Sequence, residues 1–141
     1  MSDSLRDSTT YRAIRVFGAQ KARFAAVLNE HGLHVGQEFM LAQLWREDGL
    51  TQSQLADRLR VSAPAVTKVA RTLERSGFVR REPDESDARL MRVRLTERGR
   101  ALEEPLTVAW YAVEADLLAE LTPGQREGLR RLATDVPPRW L

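Results

Sequence analysis

The sequence predicts a mainly helical α+β domain of six helices and one two-stranded β-hairpin. Three observations carry that expectation. Apolar residues recur at intervals of three or four along most of the chain. Helix-start signals stand at Thr51-Gln-Ser-Gln54, at Ser62 with Pro64, and at Thr122-Pro-Gly-Gln125. Strict alternation of apolar and polar residues is confined to the stretch between Phe78 and Leu95. At 141 residues, 43% hydrophobic and 30% charged, the chain suits one folded domain over 1–141.

The elements follow in order. A first helix over about Thr10–Asn29 carries Tyr11, Ile14, Phe17, Phe24 and Leu28 near helical spacing and stops at His31-Gly32. A second, about Gly36–Arg46, is apolar around most of its girth through Phe39, Met40, Ala42, Leu44 and Trp45, so burial is expected. The Thr51/Gln54 capping box opens a short third helix with Leu55, Ala56 and Leu59 on one face. After the Arg60-Val61 turn, Ser62 caps a fourth helix that tolerates Pro64 in its first turn and ends at Gly77. Phe78–Glu82 and Leu90–Leu95 are the strands, joined by the polar loop Pro83-Asp-Glu-Ser-Asp-Ala-Arg89. Thr96 caps a long helix to about Glu120, with Pro105 expected to kink it. The last helix opens at Thr122 and reaches about Ala133.

Composition removes several functions. The sequence has no cysteine, which excludes disulfides, thiolate metal sites, cysteine nucleophiles and thiol-based peroxide sensing. The longest apolar run, Val108–Val113, is far short of the ~20 residues of a membrane span. No secretory signal is visible, so a cytoplasmic address without membrane contact is expected. His31 and His34, two histidines flanking a glycine-containing loop sequence, make a poor metal site. With no phosphate-binding glycine loop or nucleophile elbow, neither catalysis nor a cofactor is expected.

Charge is distributed unevenly although the net is only +2. Residues 1–50 carry six basic and six acidic side chains, residues 51–100 twelve and seven, and residues 101–141 four and seven. The basic centre suits a polyanion. With successive residues about 100° apart, Pro64, Lys68, Arg71 and Arg75 share an arc of about 60°, and Thr67 lies beside it. Val66, Val69, Ala70 and Leu73 form the opposite, buriable face. An ordinary solvated helix face would also look like this. What argues otherwise is the neighbourhood: a capped helix immediately before and a basic hairpin immediately after, the order of a winged helix-turn-helix.

Leu55-Ala-Asp-Arg-Leu59, Val61-Ser-Ala-Pro-Ala-Val-Thr-Lys68 and Leu73-Glu-Arg-Ser-Gly-Phe-Val-Arg80 together resemble the DNA-binding core of the MarR family of bacterial transcription regulators. Asp87-Ala-Arg89 resembles that family's wing signature, and Leu95-Thr-Glu-Arg-Gly99 the junction after the wing. The resemblance implies a winged core over 36–98, with the recognition helix at 62–76 and the wing at 78–95. It also implies dimerisation helices at 8–32 and 97–141. The expected activity is sequence-specific binding of double-stranded DNA as a homodimeric repressor on a near-palindromic operator. Its recognition helices would sit about 34–36 Å apart. A small aromatic or phenolic effector is the expected releasing ligand, and Phe24, Phe39, Trp45, Trp110 and Tyr111 are the aromatic residues that could line its pocket.

On the same reading Ser62, Pro64, Ala65, Thr67, Lys68 and Arg71 lie in the major groove. Thr67 and Arg71 read bases, while Lys68 and Arg75 hold phosphates. Ser53 and Gln54 donate to phosphate from the third helix's N-terminus, Arg89 enters the minor groove, and Asp87 orients Arg89. Two alternatives remain open: a winged-helix module for an acidic protein partner, and a small-molecule binder without DNA affinity.

Overall fold

Leu44, Leu55, Val66, Leu73, Phe78 and Val93 meet at the centre of the computed structural model, which describes residues 4–135. They come from five successive segments, and each element exists because it delivers one apolar face to that point. The order is α1 (Thr9–Glu30), α2 (Gln37–Arg46), α3 (Gln52–Leu59), α4 (Ala63–Arg75), β1 (Val79–Pro83), β2 (Met91–Leu95), α5 (Glu97–Ala101), α6 (Glu103–Ala119) and α7 (Pro123–Asp135). A 3-10 turn at Leu5–Asp7, unmarked by any sequence signal, precedes α1.

The predicted capping chemistry is in place. Thr51 accepts from the backbone N–H of Gln54, and the Gln54 side chain accepts from that of Thr51. Ser62 accepts from Ala65 N–H at 3.3 Å, Thr96 from Gly99 N–H at 3.1 Å and Thr122 from Gln125 N–H at 3.2 Å. Between α3 and α4 the chain reverses through Arg60, whose φ of 54° is left-handed, so α3 ends there and a tight turn follows.

The antiparallel hairpin pairs Val79 with Leu95 and runs to Pro83 opposite Met91. Leu50 O accepts from Val93 N–H at 2.9 Å, and Thr51 bridges to Arg92, so the start of α3 is stitched to β2. Asp48 reinforces that seam: it accepts from Gly49 and Leu95 N–H, both at 2.8 Å, and from Arg100 at 2.9 Å.

Two expectations need refinement. The kink expected at Pro105 is a break at Leu102, which separates α5 from α6. Proline cannot donate to the Ala101 carbonyl one turn back, and its ring crowds that carbonyl. The second correction concerns α2, expected to be buried around most of its girth but buried on one side. Gln37, Met40, Leu41 and Leu44 face inward, while Phe39 is 60% exposed. The exposed side of α2 instead borders two grooves described below.

The core lies in the middle of the chain. Of α1 only Leu28 is buried, and no described residue of α7 is. Ile14, Val16 and Phe17 on α1, Val108 and Tyr111 on α6, and Leu132 on α7 stay exposed. No helix among the described residues is long and apolar enough to cross a membrane.

Gly99 fixes how closely the wing approaches α5. A Cβ there would stand 2.0 Å from the Phe78 carbonyl oxygen, a backbone atom that cannot swing away. Trp45 then donates its indole N–H to Gly99 O at 2.9 Å, which locks the junction. We predict that Gly99→Ala lowers the thermal midpoint by the equivalent of about 1–3 kcal/mol or more, the range of an overpacked core. Gly128→Ala, in open space on α7, leaves it unchanged or slightly raised. Thermal denaturation of both variants measures the contrast.

Candidate nucleic-acid interface

Helix α4 is oriented by what it buries. Val66, Ala70 and Leu73 are each no more than 1% exposed, so the opposite side of the helix must face outward. That side presents Ala63, Pro64, Thr67, Lys68, Arg71 and Arg75 along one shallow surface. Five of the predicted residues are therefore contiguous there: Pro64, Thr67, Lys68, Arg71 and Arg75. Ser62 lies exposed at the helix start, occupied as its cap. Ser53 is exposed at the start of α3; Gln54 is exposed too, but its side-chain oxygen is committed to the capping box.

Ala65 is a correction. One residue on from Pro64, it is rotated about 100° away from the stripe. It is half-buried in a cleft with Phe39, Met40 and Gln43 of α2 and Leu59 of α3.

The arginines fall into two electrostatic groups. Those of the hairpin and of its flank at Arg98 are engaged within the fold. Arg81 pairs with Glu74 at 3.2 Å, Arg80 with Glu82 at 3.3 Å, Arg94 with Glu82, and Arg92 with Asp84. Arg98 lies 4.4 Å over the Phe78 ring and donates to Ser76 O at 2.6 Å. Among the described residues, Lys68, Arg71 and Arg75 make no ion pair; Arg75 reaches only the Thr72 hydroxyl, at 3.4 Å. Three uncompensated cations on one helix face form a local field that an anion would satisfy.

Arg89 is a third case. Its side chain is 90% exposed at the hairpin tip, yet its direction is fixed. Asp87 receives its Nε and Nη2, both at 3.0 Å, in a two-pronged fork, and also the Arg89 backbone N–H at 3.1 Å. The Arg89 hydrogen bonds hold the Asp87 carboxyl below its ordinary pKa and raise the guanidinium's. Asp84 organises the loop beneath. It accepts from the backbone N–H groups of Ser86 and Asp87, both at 3.0 Å, and from Arg92, and the Arg92 hydrogen bond contributes most to lowering its pKa. Arg92 also donates to Gly49 O at 2.6 Å, so the tip of the hairpin is tied back to the body.

Sequence reasoning missed Asp48, Asp84, Glu74 and Gln52. Asp84 had a signal, an Asp after a proline and two residues before its backbone partner, the pattern of an Asx turn. The others act across the fold, where single-sequence spacing is blind. Gln52 donates to the Thr67 hydroxyl at 2.9 Å, joining α3 to the outward face of α4.

Away from α4, a groove of about 350 Å³ runs between α2 and α6, lined by Glu38, Phe39, Trp110, Tyr111 and Glu114 among others. It continues into a second of about 490 Å³ toward α1, where Phe24 stacks on Trp110 with centroids 4.1 Å apart. Trp45 lies elsewhere, on the Gly99 carbonyl. The His31 ring is held on Val27 O at 2.8 Å at the end of α1.

Comparison with known proteins adds four findings. A model described as the MarR family matches residues 33–91. The HTH-type transcriptional repressor Rv2887 of Mycobacterium tuberculosis is 35% identical over 123 residues, 86% of this chain and 88% of that one. The regulator TtmR of Methylorubrum extorquens is 34% identical over 101 residues, which span 72% of this chain but half of TtmR. Among solved structures, MepR of S. aureus in complex with DNA superposes with a TM-score of 0.78 at 26% identity, covering 91% of this chain and 95% of that one.

The Asp87–Arg89 fork carries a pH prediction. Because Arg89 favours the ionised carboxylate, Asp87 titrates below the ordinary aspartate value, and the fork persists until the pH falls through that lowered value. Carboxyl-carbon chemical shifts should give a depressed midpoint in the native protein and a return toward ordinary in Arg89→Ala. An unchanged midpoint in that variant would show that the fork does not form in solution.

Proposed function

This chain belongs to the MarR family of DNA-binding transcriptional regulators, and from that premise we propose that it acts as a homodimeric repressor released from a near-palindromic operator by a small ligand. One observation carries the DNA reading. Among the described residues Lys68, Arg71 and Arg75 make no ion pair and share the outward face of α4, whereas Arg80, Arg81, Arg92 and Arg94 of the neighbouring hairpin pair with Glu74, Glu82 and Asp84. An α-helix fits the major groove, and its N-terminal half meets base edges. Arg71, with Thr67, then reads bases, and Lys68 and Arg75 hold phosphates. Ser62 and Pro64 enter the major groove at the start of α4, Ser53 and Gln54 meet phosphate from the start of α3, and Arg89, aimed by Asp87, reaches the neighbouring minor groove. A protein-binding winged helix would instead offer apolar anchors on this face.

Dimerisation is supported by apolar side chains that the core leaves outside. Ile14, Val16, Phe17, Val108, Tyr111 and Leu132 all belong to the terminal helices, within the predicted 8–32 and 97–141 segments. A two-fold axis through them would present two α4 helices to successive major grooves.

The groove between α1, α2 and α6 is the ligand site on this reading. Its aromatic walls suit a flat apolar ligand, and Glu38 and Glu114, set against the single cation Lys21, leave its lining net negative. Such a lining favours an aromatic cation over the phenolic anion that the family resemblance suggests. In calorimetric titration, benzyltrimethylammonium should bind more tightly than benzoate, and Glu114→Gln should weaken the cation. Equal affinity for the two probes would overturn the charge preference.

The DNA reading is tested with duplexes from the region flanking the protein's own gene. Log K should fall linearly with log salt, by about 0.9 per neutralised phosphate. Lys68→Ala should make that slope shallower by about one phosphate, whereas Arg71→Ala should cost about 1–3 kcal/mol and relax sequence preference. A monomer in sedimentation, or a flat salt response, would sink the proposal.

A further inference from the structure

Thr67 occupies the fifth position of α4, one turn in from the Ser62 cap, on the same face as Pro64, Lys68 and Arg71. A threonine hydroxyl has one proton to donate and two lone pairs that accept. Here the proton is already used, because Thr67 Oγ1 donates to Ala63 O at 3.1 Å, one turn back along the helix. One lone pair is used as well, by Gln52 Nε2 at 2.9 Å. The Gln52 amide oxygen is buried without a partner, so the amide has one alternative setting, with its oxygen turned to Thr67. In that setting the hydroxyl donates to Gln52. Either way its proton stays inside the fold, and only acceptor capacity and the methyl group are left facing outward.

From this we infer that Thr67 reads DNA as an obligate hydrogen-bond acceptor, held in that role by Gln52, and so selects adenine or cytosine on the strand it faces. The inference rests on the DNA-binding reading above and adds the chemical rule by which one position is read. Major-groove donors are the exocyclic amino groups, N6 of adenine and N4 of cytosine, whereas guanine and thymine present acceptor oxygens. Every base pair presents one amino group in the major groove, so an acceptor-only side chain distinguishes which strand bears it. Lys68 and Arg71 donate only, so the stripe combines donors for guanine or phosphate with a single acceptor for an amino group. A free threonine hydroxyl would rotate and accept any base. The back-bond to Ala63 and the Gln52 contact remove that freedom.

The experiment uses the full-length protein and the tightest duplex it selects from a randomised pool. In that duplex each adenine is replaced in turn by purine and each cytosine by 2-pyrimidinone, which deletes the amino group alone. Wild type should lose about fivefold at one position per half-site, the value of one neutral hydrogen bond. Thr67→Val should start about fivefold weaker and lose nothing more at that position, while Thr67→Ser, which keeps the oxygen, should respond as wild type does. The cycle separates the contact from any effect of the analogue on the duplex. Wild type and Thr67→Val responding alike at every position would overturn the inference while leaving DNA binding intact. Failure to select any duplex would overturn the DNA-binding reading and this inference with it.

Discussion

Everything on the outer surface of the winged core depends on the burial of one face of α4. Val66, Ala70 and Leu73 are essentially sealed against α2, α3 and the hairpin. Each is worth roughly the 1–3 kcal/mol of a buried aliphatic side chain, with alanine at the low end. A rotation of the helix by one residue would expose these and bury a cation without a partner, which costs far more than it returns. The cationic stripe therefore needs no contact of its own to be displayed. It faces solvent because its opposite side cannot.

That same economy explains why so much was legible in the sequence and where legibility stopped. Elements whose ends are set by local chemistry came out within a residue or two: Thr51/Gln54 and Ser62 opening α3 and α4, Gly77 closing α4, the alternation of Met91, Val93 and Leu95 giving β2. The stripe was legible because helical spacing alone determines it. The hidden features depend on which residue meets which across the fold. Nothing in its immediate sequence says that Asp48 will hold the N–H of Leu95, or that Gln52 will find Thr67. Phe39 shows the opposite failure. Periodicity made α2 look apolar around most of its girth and so buried, yet its Phe39 side borders grooves. Hydrophobic pattern registers that a side chain avoids water and is silent on what covers it.

The abundance of arginine raised a specific ambiguity, since 22 basic residues in a chain with few lysines cannot all be functional. Pairing resolves it. Arg80, Arg81, Arg92 and Arg94 spend their charge on Glu74, Glu82 and Asp84, and so stiffen the hairpin without projecting much field. Exposed pairs of this kind contribute little to stability singly. Their larger consequence is electrostatic, because they lower the background against which Lys68, Arg71 and Arg75 stand out. Arg89 combines both roles, being paired for direction and exposed for contact.

Phe39 also connects the proposed ligand site to the proposed DNA-reading helix. Its ring borders the aromatic groove beside Trp110 and, on its other flank, the cleft that contains Met40, Ala65, Val66 and Val69. Packed interiors transmit displacement because they hold few voids to absorb it, but here the cleft behind α4 is open on the Phe39 side. A ligand that drives the Phe39 ring toward Ala65 and Val69, and not outward to solvent, would change the seat of α4. Such a shift matters through geometry more than through strength of contact. In a two-fold dimer, both recognition helices would move relative to one fixed axis, so a small change at each α4 is doubled in their separation, while the duplex offers its grooves at a fixed repeat. Helix α2 is thus the element on which ligand and DNA would compete.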